Sequence, residues 1–155
     1  MTYATRSNAI LILAFTLAIG ANSAMAHGDA LHPDTLKAAH GGQLGVAGSY
    51  GHELVVVKDA KDLKASPIEV YVTDHAGQKI STAAATGTAT ILAGKQKSAA
   101  TLRPDGDNRM KGMANYTATP DMKVVVSITL AGKPPEQTRF TPLATAKDGH
   151  SDHPH

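Results

Sequence analysis

Short alternating runs of apolar and polar residues, separated by glycine, proline and aspartate, fill most of the chain beyond residue 40. Residues 52–58 (HELVVVK) are apolar on both faces and predict a central strand. Ile68, Val70 and Val72 alternate with Glu69, Tyr71 and Thr73, the period of two that a half-buried strand requires. Asp74-His75-Ala76-Gly77 reads as a turn, with residues 78–82 pairing back as a hairpin. Strands are also predicted over residues 86–93, 97–103 and 109–116, and Gly112 inside the last suggests a bulge. Met122, Val124, Val126, Ile128 and Leu130 alternate with Lys123, Val125, Ser127 and Thr129. Beyond Pro134-Pro135, residues 137–143 form a last strand around Phe140. Seven or eight short strands with turn signals every eight to twelve residues predict an all-β fold. The expected architecture is an antiparallel sandwich or small barrel, immunoglobulin-like in character.

The ends of the chain break this pattern. Arg6 precedes an uncharged apolar run over residues 9–21, and Ala24-Met25-Ala26 fits a small-residue cleavage site. Residues 1–26 therefore read as a signal peptide cleaved after Ala26, too short in its apolar part for a membrane span, which needs about 20 residues. The mature protein is expected in the periplasm and not to span a membrane. Residues 27–39 read as a flexible, histidine-containing leader, residues 40–143 as the β domain, and residues 144–155 as a disordered histidine-rich tail.

Composition narrows the chemistry. There are 8 histidines and no cysteine in 155 residues, so disulfides, thiolate metal centres and a thiol nucleophile are excluded. With 15 basic against 13 acidic residues and no basic run, a nucleic-acid partner is not expected. The motifs of a nucleophile elbow, a phosphate-binding loop and a His-Glu-x-x-His metalloprotease helix are missing, and no pair of carboxylates stands out for acid–base work. The chain is expected not to be an enzyme.

Imidazole nitrogen suits copper and zinc, with nickel and cobalt as further options, and no thiolate biases the choice. Three histidine groups are candidate ligands for such a divalent transition metal. His40, His52 and His75, with Glu53 beside them, lie at the ends of predicted strands, where loops from one rim can converge. His40 precedes Gly41-Gly42, whose small size allows close backbone approach to a partner. His27 becomes the amino terminus on cleavage and can chelate through its α-amino group and ring, with His32 adding a nitrogen. His150, His153 and His155 form a tail suited to loose, exchangeable capture. The methionines favour packing over ligation: Met110 and Met113 are three apart and point to opposite faces of a strand, and Met122 continues the Val124/Val126 face.

Three segments together resemble small exported domains of heavy-metal efflux, and accessory segments of the membrane-fusion adaptors of resistance-nodulation-division pumps. They are Ala39-His40-Gly41-Gly42-Gln43, His52-Glu53-Leu54-Val55 and the run from Val70 to Gly77, followed by Gly87 in a Thr-rich strand and Lys123-Val124-Val125-Val126-Ser127. The likeness covers about residues 39–142. It implies a periplasmic, non-enzymatic β domain in metal homeostasis, with His40, His52 and His75 as the positions to test. His27 and the all-β character are also similar to copper-resistance barrels that begin with histidine. The expected function is to bind a divalent transition metal and buffer it or deliver it to a metal-efflux membrane complex. The alternative is a metal-free interaction module of such a complex.

Overall fold

A computed structural model describes residues 37–145. The signal peptide, the leader up to residue 36 and the tail from residue 146 lie outside the described residues, and with them His27, His32, His150, His153 and His155. Eight strands follow one another: β1 (Gln43–Ala47), β2 (Tyr50–Val56), β3 (Ala65–Asp74), β4 (Thr86–Ala93), β5 (Gln96–Pro104), β6 (Arg109–Asn115), β7 (Lys123–Thr129) and β8 (Glu136–Phe140). They form one antiparallel sheet in the order β1-β2-β3-β6-β5-β4-β7-β8. The described residues contain no helix, and therefore none long and apolar enough to cross a membrane. The all-β antiparallel expectation is met: the sheet curls on itself into a nearly closed barrel.

Alternation along each strand decides what fills the barrel. Leu54, Ile68, Val70, Val72, Ile91 and Leu102 point inward, as do Met110, Met122, Val124, Val126 and Ile128, and all are buried. Transfer of one such side chain from water contributes roughly 1.5–3 kcal/mol. Alanines at 89, 93, 100 and 114 fill the narrower places. Met110 is fully buried while Met113 is 52% exposed, as their spacing on one strand requires. Tyr116 brings the one buried hydroxyphenyl group among the described residues: its hydroxyl accepts from Val57 N at 3.0 Å and donates to Pro67 O at 3.1 Å. That satisfies a buried polar atom and ties the chain after β2 to the start of β3.

Three local expectations need correction. The alternation does not predict β1, because Gly45 lies in its middle and glycine weakens a strand. The strand forms because β2 pairs with it from Gln43↔Leu54 to Ala47↔Tyr50, and because Gly45 leaves room for two side chains of β8. A Cβ at Gly45 would collide with Thr138 Cγ2 and come within 2.9 Å of the Phe140 ring. The segment 78–82 pairs back on β3 only briefly: Asp74 N donates to Gln78 O at 2.9 Å and Ile80 N to Val72 O at 3.1 Å around the single bridge Thr73↔Lys79. The loop before β6 occupies the same edge, since Val72 N donates to Asn108 O at 2.8 Å and Asn108 Nδ2 donates to Val72 O at 3.0 Å. Thr82 then turns away, donating from its amide to Asp107 O at 2.9 Å and from its hydroxyl to Arg109 O at 3.1 Å.

Gly112, finally, is not a bulge. The register from Ala65↔Asn115 to Tyr71↔Arg109 runs through it unbroken. Glycine is needed because β5 crosses its inner face: a Cβ there would lie 2.6 Å from Thr101 O and 3.1 Å from the Ala100 Cβ. Gly112→Ala is therefore expected to lower folding stability by about 1–3 kcal/mol, the usual cost of overpacking. Urea denaturation checks this, and an unchanged midpoint would show that β5 shifts freely.

Candidate functional site

The outer face of β1, β2, β3 and β6 carries a cross-strand row of Leu44, Glu53, Tyr71 and Arg109, placed side by side by the register. Glu53 is the unusual member. Alternation turns it away from the core, yet the residue is only 4% exposed. The chain entering β1 covers it. Its carboxylate accepts Ala39 N at 3.0 Å, His40 N at 2.7 Å and Gly42 N at 3.0 Å. A fourth bond joins it to His40 Nδ1 at 2.8 Å.

The His-Gly-Gly sequence explains how this wrap is possible. Gly41 has a φ of +73°, a conformation that side chains with a Cβ rarely adopt. Gly42 lies so close to β2 that a Cβ would collide with Leu54 O. Glycine at both positions lets the main chain over residues 39–42 present three N–H groups to one carboxylate.

Electrostatics fixes the proton on His40. Burial by itself raises the Glu53 pKa, but the bonds from the His40 ring and from the Gly42, His40 and Ala39 amides outweigh it and hold the carboxyl below its ordinary value. Glu53 is then an anion that only accepts, so His40 Nδ1 carries the hydrogen and donates it. The lone pair of a neutral His40 is on Nε2. The ring also stacks on Tyr71, with centroids 3.5 Å apart and planes 4° from parallel. Two restraints thus orient one imidazole whose side chain remains 39% exposed. A hollow of about 290 Å³ lies beside it, bounded by Lys37, Leu44, Thr73 and Gly77 as well as Glu53 and Tyr71.

The other described histidines are elsewhere. His52 precedes Glu53 and so points to the opposite face, into the barrel, where it is 1% exposed. Its Nδ1 is hydrogen-bonded to Thr138 Oγ1 of β8 at 2.7 Å. His75 is exposed at the tip of the turn after β3. There Asp74 Oδ1 accepts Ala76 N and Gln78 N, each at 2.8 Å, and Gly77 takes a φ of +75°. Ala76 and Gly77 line the His40 hollow, but His75 does not. Among the described residues, no group of three or more His, Cys, Asp or Glu side chains is placed to hold a metal ion. The Glu53 pairing and the Tyr71 stack are the parts that reading along the chain misses. Their one sequence signal is that both residues occupy outward positions between inward neighbours, His52 and Leu54 for Glu53 and Val70 and Val72 for Tyr71.

No family model matches the chain, and no curated protein and no solved structure matches it.

Burial of His52 lowers its pKa from 6.5 to about 4. The folded protein therefore keeps this ring neutral, whereas the unfolded chain takes up a proton below 6.5. Stability from this source is complete above pH 6.5 and is lost as pH falls towards 4, a difference of about 3 kcal/mol. Glu53 adds acid sensitivity in a lower window: its stabilisation is present above its ordinary pKa and lost as pH falls through the depressed one. Glu136, raised by burial, acts oppositely and loses stability as pH rises through its shifted value. His52→Asn keeps a hydrogen-bonding group near the Nδ1 position but does not titrate. Its stability is expected to fall less than the wild type's between pH 7 and 4.5, as followed by urea unfolding. Parallel pH profiles would contradict the assignment.

Proposed function

We propose that the protein is an exported periplasmic domain that captures a divalent transition metal, copper or zinc first, through histidine nitrogen, and buffers it or delivers it to an efflux complex. The observation carrying this reading is the His40–Glu53 pair. Metal-ligating histidines commonly donate their second ring N–H to a carboxylate, which fixes the tautomer and raises ligand basicity. His40 has that partner, is stacked on Tyr71, and keeps Nε2 for a ligand bond.

The metal in this reading is cargo. His40 supplies one coordination position on the folded domain. The remaining nitrogens come from the flanking sequence, where His27 and His32 precede it and His150, His153 and His155 close the chain. A partly chelated, exchangeable ion suits transfer better than a closed four-ligand site, which favours retention. The second reading is a metal-free interaction module of a membrane efflux complex. It is favoured by the separation of His40, His52 and His75 over the outer face, the barrel interior and a turn tip.

Titration of the full-length protein with Cu(II), Zn(II), Ni(II) and Co(II) separates the two. His40→Ala is expected to weaken the tightest binding at least about tenfold, and Glu53→Gln to weaken it about 10–100-fold through the lost orienting bond. Protons compete for imidazole, so affinity falls between pH 7.5 and 5.5. Replacement of His150, His153 and His155 by alanine reports the tail's share. Unchanged affinity in His40→Ala would remove the ordered ligand, and absence of saturable binding by any of the four ions would favour the interaction module.

A further inference from the structure

The far side of the barrel carries a different kind of surface. The outward positions of β5, β4 and β7 place Lys97, Leu92 and Lys123 in one cross-strand row. The next row along the strands places Thr90 beside Val125 and Val125 beside Arg139. Together they line an open groove of about 560 Å³ that shares no residue with the His40 hollow. Its floor is apolar, and Leu92 on it is 42% exposed, one of three large hydrophobic side chains left so open among the described residues.

The charges around this floor have one sign. Lys97, Lys123 and Arg139 line it, and no carboxylate does. None of the three lies within 4 Å of a carboxylate among the described residues, whereas Arg109 and Lys111 on the opposite half are both paired with Glu69. Long cationic side chains lay their methylene stems along apolar surface and keep the charge at the rim. The result is an apolar trough edged by three cations that touch no carboxylate among the described residues, Asp121 acting on Lys123 only from beyond ion-pair distance; its volume is in the range of about 300–1,000 Å³ common for small-molecule sites.

We propose that this groove binds a single-chain anionic amphiphile of the fatty-acid class. The alkyl chain lies along Leu92 and Val125, and the acid group is held at the rim by Arg139 and Lys123. Each part of such a ligand meets a matching part of the surface: the chain covers the exposed leucine, and the carboxylate brings a negative charge to a rim lined by none. A neutral lipid leaves the cations unpaired, and a hydrophilic anion leaves Leu92 in water. The site does not depend on the metal reading.

Titration of the full-length protein with dansyl-labelled undecanoic acid, below its aggregation threshold, tests the proposal through the rise in dansyl emission. The acid is expected to bind saturably and to be displaced by unlabelled dodecanoic acid. Its methyl ester, which has the same chain without the charge, is expected to bind at least about tenfold more weakly. Leu92→Glu places a carboxylate on the floor and is expected to abolish binding. The double variant Lys123→Glu/Arg139→Glu is expected to weaken the acid at least about tenfold and to leave the ester unchanged. Met113→Glu, at an exposed apolar position outside the groove, is the control expected to bind as the wild type does. Thermal unfolding midpoints confirm that each variant is folded. Equal affinity for acid and ester, wild-type binding by Leu92→Glu, or failure of dodecanoic acid to displace the probe would each overturn the proposal.

Discussion

Between β1 and β8 the sheet meets itself without a backbone ladder, so side chains must do what hydrogen-bonded strands do elsewhere. They do it where β1 has none of its own. Gly45 admits Thr138 and Phe140, and Gly48 sits directly against the Glu136 carboxylate. Gln43 Oε1 accepts Thr141 N at 2.8 Å, and His52 reaches from β2 to Thr138 inside the barrel. With no disulfide in the chain, this seam is held by packing and a few polar contacts, and the core on both sides of it depends on its remaining shut. A neutral His52 belongs to that closure: a charge at a site 1% exposed would have to be desolvated or let water in.

Glu53 holds the adjoining stretch of chain by a related logic. A carboxylate taken out of water must be matched by donors, and here four N–H groups converge on it. The same four bonds fix the path of the chain into β1 and the tautomer of His40. Structure and chemistry are thus joined in one group. The bonds that start the edge strand also leave one imidazole lone pair oriented at the surface.

The two halves of the barrel exterior differ in charge balance. On the β3/β6 side, Arg109 meets Asp105 at 2.8 Å and Lys111 meets Glu69 at 3.4 Å, an internally neutral surface. Across β4, β7 and β8, the cations stand around uncovered leucine and valine. The strands are alike in geometry, so this asymmetry comes from which residues the register brings together.

Much of the architecture was legible along the chain. The alternation at Ile68/Val70/Val72 and Val124/Val126/Ile128 marked both strand and inward face, because a period of two has one meaning in a sheet with a buried side. Met110 and Met113 were separable for the same reason. The sequence by itself determined an all-β domain, its turn at residues 74–77, and the exclusion of thiol chemistry. It could not locate β1 or reveal that Gly112 lies under β5, since both depend on what crosses a glycine from a distant strand. Only the tertiary structure decided that His52 and His40 have opposite fates. Adjacent residues on a strand point to opposite faces, so Glu53 pairs outward with His40 while His52 is sealed inside. Which face is covered depends on packing between strands far apart in the chain.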